Sequence, residues 1–189
     1  MLMALTSILL AYLIGCIPSA CIIGYTFGRI DMRSEPDGRI SASTVHRKLG
    51  MFPFMVTAFL DIVLAGSAVL LAKSLTGSTN VMMMAGFAAV VGHNWSVLIK
   101  FKGGQGATAI AGVLLVLLPW QMIYILVIAA LVMLLSHKAG LSTVIALGTS
   151  PVMIWAQDGF SALVFFPVLL LCLMLLKKYQ VARETSIAS

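Results

Sequence analysis

The chain has 189 residues, of which 61% are hydrophobic and 10% charged, with a formal net charge of +6 and a mean hydropathy of +1.08. A soluble fold has no use for that much apolar surface, and the apolar runs are continuous rather than alternating, which excludes a β-barrel and leaves an all-α bundle of membrane helices. The positive excess then reports orientation and anionic lipid, not nucleic acid.

Apolar runs over residues 2–27, 50–72, 80–99, 107–118, 121–135, 141–155 and 160–176 predict seven membrane-spanning helices in one domain covering residues 1–189. The first run is too long, and too free of leading positive charge, for a cleaved signal peptide. Residues 29–48 read as a polar loop broken at Glu35-Pro36-Asp37-Gly38. Residues 73–79 form a short turn, 100–106 a basic glycine-rich turn, and Pro119-Trp120 the next. Residues 136–140 and Gln157-Asp158-Gly159 separate the last runs, and a basic tail follows residue 176. Several runs are shorter than the ~20 residues a bilayer crossing requires. That predicts broken segments or a locally thinned membrane, where a water-soluble ligand can meet a lipid. Cys16, Cys21 and Cys172 lie in apolar runs without disulfide or metal spacing.

With seven spans, Arg29, Arg33, Arg39, Arg47, Lys48, Lys100, Lys102, Lys138, Lys177, Lys178 and Arg183 fall on one side and Lys73 alone on the other. Lysine and arginine mark the cytoplasmic face. The N-terminus is therefore expected outside and the C-terminus inside, with three polar loops and the tail together on the cytoplasmic side.

The stretch with most chemistry in it is Lys100-Phe101-Lys102-Gly103-Gly104-Gln105-Gly106-Ala107-Thr108. Three glycines let the backbone turn sharply, and the apolar run that follows places its N–H groups at a helix N-terminus, which favours an anion such as phosphate. Glycines also serve as packing points between membrane helices and lysines as headgroup anchors. The spacing is not that of a P-loop. Asp61, inside the second run, either braces a polar site or hydrogen-bonds a neighbouring helix. His93 is a candidate base or phosphate donor, or one half of an interfacial pair with Trp95. Residues 37–47 carry hydroxyls and cations suited to phosphate, with Arg47 next to the membrane entry at Gly50 the strongest candidate. The third same-side loop adds His137, Lys138 and Thr143. Met82-Met83-Met84 reads as core filling, and metal spacing is absent throughout.

Gly92-His93-Asn94-Trp95 through Phe101-Lys102-Gly103-Gly104-Gln105-Gly106-Ala107-Thr108 resembles the Gly-His … Phe-Lys-Gly-Gly-Lys-Gly-Val-Ala-Thr signature of the PlsY family. These are membrane acyltransferases that move a fatty acyl group from acyl phosphate to glycerol 3-phosphate. Ala11-Tyr12-Leu13-Ile14-Gly15-Cys16-Ile17-Pro18-Ser19-Ala20 is similar to that family's opening, the stretch from Asp37 to Gly50 to its Ser-Gly-Asn-x-Gly-Ala-Thr-Asn-x-x-Arg loop, and Leu60-Asp61 to the start of its Asp-x-x-Lys-Gly segment. The resemblance implies a seven-span fold in a prokaryotic plasma membrane with the site facing the cytoplasm. It implies acyl phosphate and glycerol 3-phosphate as partners within the lipid bilayer, and no cofactor, metal or nucleic acid; a monomer is expected. It places Asp37 and His93 at the reacting centre, the acyl phosphate at Gly103, Gly104 and Gly106, and glycerol 3-phosphate at Arg47 and Lys102. Arg39, Ser43, Thr44, Gln105, Thr108 and Thr143 complete the substrate contacts, and Asp61 supports them.

The chain departs from the pattern at polar positions. Asp37 stands in place of Ser, Arg39 in place of Asn, and Ser43-Thr44 in place of Thr-Asn. Leu64 and Gln105 replace lysines, and the C-terminal His-Arg-x-Asn has no His or Asn counterpart after Lys177. Each charge-assisted phosphate contact contributes about 1.5–3 kcal/mol, so the losses predict weak glycerol 3-phosphate binding unless a cation such as Arg39 is relocated. Two readings follow: an acyltransferase of this type, or a divergent paralogue that binds lipid or phosphate, regulates, or uses another acceptor.

Overall fold

The computed structural model describes residues 1–34 and 40–188, and among these residues it contains helices and no strand. The helices are α1 (Leu2–Gly15), α2 (Ser19–Gly28), α3 (Ala42–Leu49), α4 (Met51–Thr76), α5 (Thr79–Asn94), α6 (Ala107–Leu117), α7 (Pro119–Ser136), α8 (Ala139–Asp158) and α9 (Ala162–Ala188), with single 3-10 turns at Met32–Ser34 and Val97–Ile99. Six segments among the described residues are long and apolar enough to cross a membrane, and α6 is a shorter apolar helix between them. The expected seven apolar segments are all present.

Four boundaries differ from the sequence expectation, each for a physical reason. The first span is broken into α1 and α2 at Pro18, which lacks an N–H and restricts the residue before it. Pro119 does not end a helix but begins α7, where its missing donor costs nothing. Pro151 and Pro167 lie inside α8 and α9, as membrane helices tolerate. Most spans are consequently longer than the apolar runs suggested, and α6 alone is short, about 16 Å at 1.5 Å per residue. Residues 42–49, expected as loop, form α3, which buries Ala42 and Val45 and leaves Ser43, His46, Arg47 and Lys48 exposed. The basic tail is not a tail: α9 runs through Lys177 and Lys178 without a break.

The core is built from small residues. Ala11, Ala65, Ala68, Ala72, Ala85 and Ala89 are buried with Val69, Val90 and Val113 where α1, α4, α5 and α6 meet. Without a hydrophobic drive between helices in lipid, close backbone approach supplies the attraction. At Gly112 a Cβ would come within 2.3 Å of the Ile62 carbonyl oxygen, so only glycine lets α6 lie this close to α4. Large apolar side chains such as Phe59, Leu134 and Leu135 face outward. A second, smaller apolar cluster of Ala20, Ile23, Met32, Ile40, Val45 and Ile99 fastens α2, α3 and the Val97–Ile99 turn to one end of the bundle. That end carries the site.

Candidate active site

Asp61 is the centre of a buried polar knot. Its side chain, 2% exposed, accepts hydrogen bonds from Ser19 Oγ of α2 and from Thr108 Oγ1 of α6 at 2.7 Å. His93 Nδ1 of α5 lies 3.8 Å from the same carboxylate, an ion pair when the imidazole is protonated. One carboxylate thus ties four helices together. A lone buried charge would be costly, and these donors offset the desolvation. Asp61 bonds neighbouring helices, as one of its two sequence readings expects, and it stands 3.8 Å from the candidate site histidine.

The basic turn is held from three directions. Ser96 Oγ donates to the Cys16 carbonyl at 2.6 Å, Tyr12 to the Trp95 carbonyl at 3.1 Å, and Phe101 N–H to the Ser96 carbonyl at 2.8 Å. Lys100 and Phe101 both sit in the left-handed region, at φ 54° and 64°. For non-glycine residues that conformation costs about 1–3 kcal/mol each and persists only where the surroundings impose it. Here they come from α9: Lys177, 2% exposed, donates from Nζ to the Phe101 carbonyl at 3.1 Å and lies 5.3 Å from the Trp95 ring centroid. Trp95 Nε1 in turn donates to Gln180 Oε1 at 2.8 Å.

The glycines then divide their tasks. Gly104 N–H goes to the His93 carbonyl at 3.2 Å, and a Cβ at Gly104 would lie 2.6 Å from His93 Nε2. Gly103 presses on the His93 and Asn94 backbone. These two positions serve packing around His93, and the Gly104 donor is already engaged within the protein. Gly106, at φ 84°, is the N-cap of α6, whose first N–H groups have no acceptor within the helix. Beneath it lies Asn94, fully buried, whose side-chain amide has no hydrogen-bond partner among the described residues.

Two hollows meet at His93 and Ser41. The smaller, about 10 Å³, is lined by Ser19, Asp61, Ser96, Gly103 and Gly104, and has room for little more than a water-sized group. The larger, about 240 Å³, is lined by Ser43, Gln105, Gly106, Thr108, Gly140, Thr143, Met174 and Lys178. All four polar segments expected on one face contribute to it. An apolar hollow of about 110 Å³ adjoins it, sharing Ala107 and Thr143 and running between α6, α7 and α8 past Ile110, Leu114, Met122 and Ile125.

Of the residues singled out from sequence, His93, Ser43, Gln105, Gly106, Thr108 and Thr143 surround the larger cavity, and Asp61, Gly103 and Gly104 the smaller. Others are not brought there. Thr44 is fully buried with its hydroxyl 3.2 Å from Ser41 Oγ at the start of α3, so it is a structural residue of that helix. Arg47 and Lys102 are exposed and line neither cavity. Thr143 donates its hydroxyl to the Ala139 carbonyl at 3.0 Å. Asp37 and Arg39 lie outside the described residues. Residues not anticipated are Ser19, Ser41, Asn94, Lys177, Lys178 and Gln180. Ser19 had a signal, since Pro18 breaks the first span beside it. So did Lys178, four residues after Met174 on one face of a continuous helix. Nothing in the chain's order announced Lys177 as the partner of the Phe101 carbonyl.

A family model described as glycerol-3-phosphate acyltransferase matches residues 5–185 of this chain. The chain is 33% identical over 153 residues to glycerol-3-phosphate acyltransferase 2 of Moorella thermoacetica, spanning 80% of this chain and 78% of that one. It is 38% identical over 134 residues to the glycerol-3-phosphate acyltransferase of Thermus thermophilus, spanning 71% and 67%. A crystal structure of PlsY, an integral membrane glycerol 3-phosphate acyltransferase, in its glycerol 3-phosphate form matches with a TM-score of 0.83 at 24% identity, over 98% of this chain and 92% of that one. At that identity the likeness establishes the fold, an integral membrane helical bundle.

Proposed function

The chain belongs to the glycerol-3-phosphate acyltransferase family, and from that premise we propose that it is a membrane enzyme moving a fatty acyl group from acyl phosphate to glycerol 3-phosphate, giving lysophosphatidic acid for phospholipid synthesis. The observation that carries this reading is the junction of a polar cavity beside His93 with an apolar hollow inside the bundle. A donor with a charged head and an apolar chain fits such a junction. Its chain lies between α6, α7 and α8. Its phosphate lies at the N-terminus of α6 beside Gly106 and Thr108, where the first-turn N–H groups and the helix dipole favour an anion. His93, oriented by Asp61, faces the same space. Gly103 and Gly104 act by admitting the imidazole.

Glycerol 3-phosphate enters from the polar face, drawn in by the exposed Arg47 and Lys102. Its hydroxyl oxygen attacks the acyl carbonyl carbon. The new C–O ester bond forms, the C–O bond to phosphate breaks, and the hydroxyl proton leaves on the phosphate. Positioning and charge neutralisation lower the barrier for this step, which requires neither a cofactor nor a dedicated base. The enzyme acts as a monomer in a prokaryotic plasma membrane, with the cavity on the cytoplasmic side because the basic residues cluster there.

Complementation tests the reading. Growth of a bacterial strain lacking its own glycerol-3-phosphate acyltransferase is expected when this chain is expressed. Failure to support growth despite membrane insertion favours the paralogue reading, which rests on Leu64 and Gln105 standing where the family has lysines. Orientation is tested by labelling Lys102→Cys in intact cells. The thiol is expected to be unreactive toward an impermeant reagent from outside, and reaction there contradicts the topology.

A further inference from the structure

We infer that Asn94 is a positioning residue for acyl transfer: its buried side-chain amide holds the N-terminus of α6 in place from within the protein. The inference rests on the acyltransferase reading above and concerns a residue that the glycine-turn signature leaves unspecified.

Asn94 is the last residue of α5, next to His93. It is fully buried, and neither its Nδ2 nor its Oδ1 has a hydrogen-bond partner among the described residues. Burying an amide in that state is costly, and an apolar group of the same shape would remove the cost. Leucine has nearly that shape. A polar group that lowers stability where leucine would raise it points to a task other than packing.

The neighbours of the amide show what the task is. The glycine turn is packed on Asn94 at both ends. A Cβ at Gly103 would lie 2.7 Å from the Asn94 carbonyl oxygen, and a Cβ at Gly106 would lie 2.5 Å from Oδ1 and 3.2 Å from Nδ2. The three atoms nearest to that Gly106 position all belong to the Asn94 amide group. Gly106 lines the larger cavity, whereas Asn94 lines neither hollow. The amide therefore stands behind the residue that begins α6. The first N–H groups of α6 have no acceptor within the helix, and an amide offers one acceptor and two donors. Asn94 is the polar neighbour that steadies this helix end from inside.

The consequence for the reaction follows from position in the chain. Asn94 is joined to His93 by a peptide bond and is packed against Gly106, and both of these line the larger cavity. Asn94 thus sets the spacing between two walls of the cavity without touching its contents. A small displacement of one wall against the other misaligns the reacting atoms, which costs turnover more than binding. Bulk alone would keep the walls apart. What the amide adds is a polar hold on the helix end, and the two contributions are separable by substitution.

The test compares the purified full-length parent with Asn94→Leu and Asn94→Ser in lipid. Leucine keeps the bulk and removes the amide; serine keeps a polar group and loses bulk. The inference predicts opposite orders in two measurements. Thermal unfolding places Asn94→Leu at or above the parent and Asn94→Ser below both. Turnover falls in the order parent, Asn94→Ser, Asn94→Leu, with kcat of the leucine variant down about tenfold to a hundredfold and KM for glycerol 3-phosphate changed far less. A further readout needs no turnover: hydrogen exchange of the amides in residues 105–109 is faster in Asn94→Leu than in the parent, while exchange in α4 is unchanged. Parental kcat in Asn94→Leu overturns the inference. So does an Asn94→Leu protein that unfolds below the parent's temperature or fails to fold, since Asn94 is then a residue of the fold. If the parent makes no lysophosphatidic acid, the acyltransferase reading fails. Exchange alone then decides whether Asn94 holds the helix end, and equal exchange in parent and Asn94→Leu overturns it.

Discussion

The two sides of the cavity are built by different rules. On one side, Ser19 and Thr108 donate to Asp61 inside the bundle, and His93 stands 3.8 Å from the same carboxylate at the cavity edge. On the other, α9 comes from the end of the chain: Lys178 lines the larger cavity, Lys177 donates to the Phe101 carbonyl, and Gln180 accepts from Trp95 Nε1. The knot is a matter of helix packing, because moving any member strands another in a low-dielectric interior. The C-terminal side is a matter of charge placement. The comparison teaches that a buried polar group is placed by helix packing, while a charge near the helix end is placed by which turn its own helix reaches.

Breaking the knot gives the largest effect. Asp61→Leu removes the acceptor for two hydroxyls and the partner of His93. Each unsatisfied buried group costs about 1–3 kcal/mol, so thermal unfolding in detergent is expected at a much lower temperature and acyl transfer is abolished. A variant of near-parental stability would show that the carboxylate is not the organising group.

A smaller disturbance sharpens the comparison from within the turn. Gly104→Leu puts a side chain where His93 Nε2 now lies, 2.6 Å from the new Cβ. The imidazole must leave the cavity, and turnover is expected to fall about a hundredfold or more, the scale of losing one preorganised group at a reacting centre, while the bundle still folds. Retained turnover would reduce the turn to a packing feature.

The C-terminal side answers more mildly. Lys177→Ala releases the Phe101 carbonyl and the Trp95 ring, an effect of about 1–3 kcal/mol for a hydrogen bond to a charged group. Partial loss of both stability and turnover is expected. Lys177→Met, which keeps the apolar stem, is expected to retain more stability than activity, because the stem packs while the ammonium holds the turn. Equal behaviour of the two variants would assign Lys177 to packing alone.

Much of this was legible in the chain. Continuous apolar runs marked the seven apolar segments, though not the break at Pro18. The glycine turn and the buried Asp61 come together at one end of the bundle, and His93 lies where the two hollows meet. What was not legible depends on distance in space. α3 was hidden because its charges outweigh its few apolar positions, Ala42, Val45 and Leu49, which pack only because α2 and α4 are there to receive them. Thr44 has the right chemistry for phosphate, yet the helix turns it inward to Ser41. Lys177 and Lys178 read only as part of a basic tail on the polar face, because a charge at the end of an apolar run says nothing about which loop it will meet. Gly104 read as an anion cradle and serves instead to admit His93, since its N–H is engaged by the His93 carbonyl.

The central claim is that this cavity transfers an acyl group between two phosphorylated partners. It is tested most directly by incubating the purified protein, in lipid, with acyl phosphate and glycerol 3-phosphate and following lysophosphatidic acid and inorganic phosphate together. The account predicts that both appear in equal amounts, that omission of glycerol 3-phosphate stops the formation of lysophosphatidic acid, and that Asp61→Leu stops both. Release of phosphate without lysophosphatidic acid, or neither product from a folded parent, would contradict it.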